Sequence, residues 1–128
     1  MASLQGKKVV LAEDNSVNEK IASMMLTSLG MSVTHAVNGI EVIEKLKQGD
    51  YDLVLMDIQM PEMDGIEAFK IIRDPNSEVR RHDIPVVAVT AYAMESERPK
   101  YLEMGMDEFI AKPLERNKLE KILTKILA

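Results

Sequence analysis

Five short apolar runs, each followed by a segment with helical spacing, constrain this chain more than any other feature. The runs lie at Lys8–Ala12, Met31–Val37, Leu53–Asp57, Ile84–Thr90 and Met106–Ala111. Leu53 to Met56 and the β-branched fourth run are apolar on both faces, as suits strands buried inside a parallel sheet. The second run alternates apolar and polar residues, which places it nearer a sheet edge. Between the runs, Val17, Ile21, Met24, Met25 and Leu29 recur at helical spacing. So do Ile40, Val42, Ile43 and Leu46, then Ile66, Phe69, Ile71 and Ile72. A fourth helix precedes Gly105. The last spans Leu114 to Leu127, with Leu119, Ile122, Leu123, Ile126 and Leu127 on one face.

Turn and cap residues agree with this division. Ser16 and Glu19 have capping-box spacing at the start of the first helix. Gly30 ends it and can adopt a left-handed conformation. Asn38-Gly39 and Gly49 bracket the second helix, and Asp64 caps the third. Asp74 to Asp83 is a charged surface loop. Tyr92 and Met94 lie in the loop after the fourth strand, with Ser96 as the next cap and Pro99 in that helix's first turn. Strand–helix alternation repeated five times implies an α/β fold with a parallel sheet and helices on both faces. Right-handed crossovers favour a single flavodoxin-like (βα)5 domain of strand order 2-1-3-4-5. The domain is expected to span residues 1–128, with residues 1–6 a tail, disordered or left by cloning.

Composition narrows the function. A net charge of −5 argues against direct binding of nucleic acid, which takes a basic face. The densest basic cluster, Arg80-Arg81-His82, is too short for one. The chain has no cysteine, which removes disulfides and Cys-based zinc sites and fits a reducing, cytoplasmic compartment. No apolar run approaches spanning length, so no direct membrane contact is expected. Met24, Met25 and Met56 read as core filler. His35, on the outer strand, and His82, in a loop, have no partners at metal spacing and read as structural.

In folds of this kind ligands sit outside the carboxyl ends of the strands. Strand one ends in Glu13-Asp14, strand three in Asp57, strand four in Thr90 and strand five in Lys112. Strands one and three are neighbours in the expected order, so Glu13, Asp14 and Asp57 gather in one acidic pocket. Three carboxylates repel one another, and a divalent cation relieves the repulsion. Oxygen donors alone favour Mg2+, with Mn2+ next. Lys112 adds a fixed positive charge and Thr90 a hydroxyl donor. Metal, ammonium and hydroxyl around one carboxylate are what phosphoryl transfer requires. Asp57 is the nucleophile of choice, at the end of the most apolar strand.

Leu-Ala-Glu-Asp-Asn at 11–15, Leu-Met-Asp-Ile-Gln-Met-Pro-Glu-Met-Asp-Gly at 55–65, Val-Thr-Ala-Tyr-Ala at 89–93 and Ala-Lys-Pro at 111–113 resemble the receiver domain of two-component response regulators. The wording is most similar to receivers of hybrid sensor histidine kinases. The resemblance implies that Asp57 accepts a phosphoryl group from a phosphohistidine on a histidine kinase or histidine phosphotransfer domain. It implies Mg2+ held by Asp14 and Asp57, by Glu13 through water, and by the Gln59 backbone carbonyl. Lys112 would pair with the phosphoryl oxygens, and the Ala91 backbone would approach them. Thr90 and Tyr92 would act as the switch, and the Lys112–Pro113 peptide would be cis. Helix one would face the phosphodonor. The face formed by helix four, strand five and helix five would carry the signal to a downstream protein. Such a domain is a signalling module rather than an enzyme, with Mg2+-dependent self-phosphorylation and autodephosphorylation, and can form part of a hybrid kinase.

Two other classes fit less well. A haloacid-dehalogenase-type phosphatase also uses an Asp nucleophile with Mg2+, but carries it after the first strand as Asp-x-Asp, with a cap insertion. A flavin-binding module needs a hydroxyl- and amide-rich phosphate loop after strand one, where Glu13-Asp14 would repel the phosphate.

Overall fold

Each apolar run forms a strand. The computed structural model describes residues 4–90 and 98–127. Its elements are β1 (Lys8–Ala12), α1 (Ser16–Ser28), β2 (Ser32–Ala36), α2 (Gly39–Gln48), β3 (Leu53–Asp57), α3 (Gly65–Arg73), β4 (Val86–Thr90), α4 (Arg98–Glu103), β5 (Glu108–Ala111) and α5 (Arg116–Leu127). The strands pair in parallel in the order β2-β1-β3-β4-β5. The flavodoxin-like order expected from the alternation is therefore the observed one.

Successive residues of a strand point to opposite faces, and the core is accordingly double. Val9, Leu11, Leu53, Leu55, Val87 and Val89 pack on one face with Ala22 and Leu26 of α1 and Leu119 and Leu123 of α5. Val10, Ala12, Val54, Met56, Val86 and Ala88 pack on the other face with residues of α2 and α3, among them Val42, Leu46, Phe69 and Ile72. Every residue of β3 and β4 is buried. Burying each large apolar side chain contributes about 1.5–3 kcal/mol, so the two central strands anchor the sheet. Among the described residues no helix is long and apolar enough to cross a membrane.

Four local expectations change. Asn15, not Ser16, caps α1: its Oδ1 accepts from the Val17 and Asn18 amides at 3.0 Å each. Asn15 is in extended backbone, so the helix starts one residue earlier. Glu19 turns away from the expected capping box and accepts from Ser23 Oγ at 2.8 Å. Second, residues 4–6 are no tail. Leu4 is buried in the core, and the Gly6 amide donates to the Gly30 carbonyl. Third, the buried stripe of α1 is Ala22, Leu26 and the flanking Leu29, while Val17, Ile21 and Met24 face outward, with Met24 72% exposed. Met24 is therefore not core filler, whereas Met56 is fully buried. Ile40 of α2 is also exposed. Fourth, several runs shorten at their ends: Ile84-Pro85 lie outside β4, Met106-Asp107 outside β5 and Leu114-Glu115 outside α5. Asp64 caps α3 as expected, accepting from the Glu67 amide, and Gly30 has φ +90°. The expected Ser96 cap lies outside the described residues.

Candidate functional site

The strand order sets the site. Ala12 of β1 lies beside Met56 of β3 in register, so the residues that follow each strand emerge together. Glu13, Asp14 and Asp57 each offer a carboxylate oxygen within 4.8 Å of the others. Glu13 and Asp57 are 4% and 5% exposed, and Asp14 is at the surface. Lys112 arrives from the end of β5. Its Nζ donates to Asp57 Oδ2 at 2.8 Å and to Glu13 Oε2 at 3.4 Å. Thr90 is buried at the end of β4, and its carbonyl accepts from the Lys112 amide at 2.9 Å. The ends of β4 and β5 are thus tied together beside the carboxylates. The Lys112–Pro113 peptide is cis.

The loop after Asp57 is shaped by close approaches. The Gln59 amide donates to Asp57 Oδ1 at 3.1 Å, which with Lys112 holds both carboxylate oxygens. Pro61-Glu62-Met63 form a tight three-residue turn: the Met63 amide donates to the Pro61 carbonyl at 2.7 Å, and Glu62 has φ +65°. A γ-turn of that sign is rare and strained for an L residue. Gly65 then begins α3. A Cβ there would lie 2.5 Å from the Asp57 carbonyl oxygen, so only glycine lets the helix start against the strand end.

The charge distribution is unbalanced. Burial first, and then the neighbouring Asp57, raise the Glu13 pKa from 4.5 to about 7, against the opposing effects of Lys112 and Asn18. Burial alone would lower the Lys112 pKa; its bond to Asp57 and the charges of Asp57 and Glu13 outweigh this and raise it. Lys112 therefore stays cationic at neutral pH, yet one cation faces three carboxylates. Glu13 Oε1 is buried with no hydrogen-bond partner among the described residues. An orphaned buried oxygen is costly, and Glu13 shares its place with Asp14 and Asp57 in an all-oxygen donor set. That set suits a hard divalent cation, Mg2+ above softer metals. Two of the residues expected at the site, Ala91 and Tyr92, lie outside the described residues.

His35, which read as structural, touches the backbone of the site. Its Nε2 lies 2.7 Å from the Glu13 backbone carbonyl. The two are 22 residues apart and meet only because β2 is paired with β1, so spacing along the chain carries no signal of the contact. His82 keeps a structural place: its Nδ1 lies 3.0 Å from the Ile72 carbonyl, away from the carboxylates. Beside the carboxylates a cavity of about 290 Å³ opens between α1 and the segment after β5. Glu13, Asn18, Ile21, Lys112, Pro113 and Leu114 are among its lining residues.

Known proteins are similar to this chain in sequence and fold. The family model for the response regulator receiver domain matches residues 9–124. Hybrid signal transduction histidine kinase I of Dictyostelium discoideum is 38% identical over 122 residues, covering 91% of this chain and 7% of that protein. The chain thus spans a small fraction of the curated relative it matches. The receiver domain of a sensor histidine kinase from Pseudomonas aeruginosa, crystallised with magnesium in its active-site cleft, superposes with a TM-score of 0.84. It is 35% identical, with 95% of this chain and 98% of that one covered. The receiver domain of the Saccharomyces cerevisiae response regulator Ssk1, solved with the histidine phosphotransfer protein Ypd1, gives a TM-score of 0.82 at 29% identity. That match covers 97% of this chain and 90% of that one.

Proposed function

The chain belongs to the response regulator receiver domain family, and on that premise we propose that Asp57 is its phosphoacceptor, serving a two-component or phosphorelay pathway in the cytoplasm. One observation carries the assignment. Asp57 is the carboxylate held from both sides, by Lys112 Nζ at 2.8 Å and the Gln59 amide at 3.1 Å, at the centre of an under-neutralised acidic pocket. In the transfer, an Asp57 oxygen attacks the phosphorus of a phosphohistidine. The P–N bond breaks, an acyl phosphate forms, and the released imidazole leaves with the bond's electron pair and is protonated. Asp14, Asp57, the Gln59 carbonyl and, through water, Glu13 would hold Mg2+, with Mn2+ a substitute. The ion would neutralise charge on the phosphoryl oxygens.

Lys112 serves the same end from the other side. It is already ion-paired to Asp57, and would shift its contact to a phosphoryl oxygen as the carboxylate becomes an ester-like group. The added charge, about −1 to −2, would draw the Thr90 hydroxyl inward, with Tyr92 following and the Ala91 backbone in contact. Thr90 and Lys112 are bonded to each other through the backbone, so movement at one strand end bears on the other. The outcome is a population shift on the face of α4, β5 and α5, where a downstream protein would read it.

The phosphodonor is a histidine kinase or a histidine phosphotransfer domain. Val17, Ile21 and Met24, exposed by 63%, 47% and 72%, give α1 an apolar outer face. Ile21 also lines the cavity beside Glu13 and Lys112, so this face leads to the carboxylates, and a donor packed on it would bring its imidazole to Asp57. The phosphatase alternative gains no support: the nucleophile candidate ends β3, and β1 is followed by Glu-Asp. The domain incubated with Mg2+ and acetyl phosphate should gain one acid-stable, base-labile phosphoryl group, and Asp57→Asn should abolish it. Equal labelling of that variant would remove Asp57 from the role.

A further inference from the structure

We propose that His35 is a positioning residue for the acidic pocket, clamping the peptide that joins Glu13 to Asp14. The proposal rests on the metal reading given above and adds to it a residue outside the ligand set. His35 stands on the edge strand β2, opposite Leu11 of β1. The β1–β2 register ends at the pair Ala12–Ala36. One more backbone bond follows, from the Glu13 amide to the Ala36 carbonyl at 3.0 Å. The Glu13 carbonyl is beyond the register, and the His35 ring takes it, with Nε2 at 2.7 Å.

The chemistry of the contact fixes its direction. A carbonyl oxygen only accepts, so Nε2 carries the proton and donates. The contact holds whether the ring is neutral or cationic, so it is a clamp and not a pH switch. Its consequence is local. The N–H and the C=O of Glu13 belong to successive peptide planes, so holding both restrains rotation about the Glu13 backbone and the tilt of the peptide that leads to Asp14. These restraints set where the buried Glu13 carboxylate lies, with its unpartnered Oε1, and where Asp14 leaves the strand. Groups that orient metal ligands from behind change affinity by about 10–100-fold when the ligand itself is the bonded group. Here the bond is to the ligand's backbone, so the expected change is smaller, about 3–10-fold.

Two variants separate the donor from the ring. His35→Phe keeps an aromatic ring and loses the N–H; His35→Gln keeps an N–H donor at about the reach of Nε2. Mg2+ is titrated into the 15N-labelled domain, following the Asp14 and Gln59 amides, with thermal unfolding measured in parallel. Expected is a shifted Asp14 amide in His35→Phe before any Mg2+ is added, and a 3–10-fold weaker Mg2+ affinity. His35→Gln should restore most of both. Wild-type affinity in His35→Phe, or an equal loss in both variants, would overturn the role of His35. A wild-type domain that binds no Mg2+ would instead overturn the metal reading, and this inference with it.

Discussion

The two ends of the sheet both carry charged side chains and use them in opposite ways. At the amino ends of the strands several charged side chains have structural work. Asp52 accepts from the Lys8 amide and Asp107 from the Val86 amide, each at 2.8 Å. The Arg73 guanidinium donates to the His82 and Ile84 carbonyls at 2.8 Å each and pairs with Asp107 at 3.4 Å. It also lies 4.8 Å over the Phe69 ring. At the carboxyl ends, among the described residues, one lysine faces three carboxylates, one buried oxygen has no partner, and a non-glycine residue has positive φ. The lower end closes its polar groups into the fold. The upper end leaves them open to a ligand and holds strain that the rest of the domain offsets.

Substitutions should separate the ends. The largest effect is expected at the lower one. Arg73→Ala strands two carbonyls and part of Asp107, and should lower the unfolding free energy by about 3 kcal/mol with Asp57 labelling retained in the folded fraction. A labelling defect as large as the stability defect would break the contrast.

The next effect belongs to Glu13. Its carboxyl in the folded chain has a pKa raised from 4.5 to about 7. The folded state therefore binds more protons than the unfolded state between those values, and stability falls as pH rises through that window. Without Mg2+ the loss should be up to about 3 kcal/mol. Glu13→Gln should flatten the dependence, and Mg2+ should reduce it. Chemical denaturation at several pH values with and without Mg2+ measures both; stability that rises across the window would contradict the sign.

Asp14→Ala should weaken Mg2+ binding at least tenfold, equivalent to about 1.4 kcal/mol, with little change in stability because Asp14 is exposed. Calorimetric titration reads the affinity, and an unchanged value would take Asp14 out of the ligand set. The smallest change is a gain. Glu62→Gly relieves a positive φ at some entropic cost in the unfolded chain, and should raise stability by roughly 0.5 kcal/mol. A decrease would place the turn outside the strained set at the upper end.

Much of this was legible along the chain. Helical and strand periods, the capping Asp64 and the stop at Gly30 are local signals. The strand-end residues Glu13, Asp14, Asp57, Thr90 and Lys112 followed from the alternation and the rule for where ligands sit. Other features were not. The Ser16–Glu19 spacing met the capping-box pattern, yet Asn15 was one residue earlier and equally able to cap. Val17, Ile21 and Met24 recur at helical spacing and Met24 read as core filler, but a helix with apolar residues on more than one face does not say which face meets the sheet. The carbonyls that Arg73 and His35 bond lie beyond any short spacing.

The order of residues along the chain thus settled which segments become strands and which become helices, and which side chains stand at the strand ends. Those outcomes depend on dihedral preference and on periods of two and 3.6 residues, which act over a few positions. The folded sheet settled the rest. Lys112 reaches Glu13 across a separation of 99 residues, and His35 reaches the Glu13 carbonyl only through the pairing of β1 with β2. Contacts of that length are fixed by strand order, register and packing, which bury both sheet faces at once and leave the carboxyl ends as the place where these charges meet.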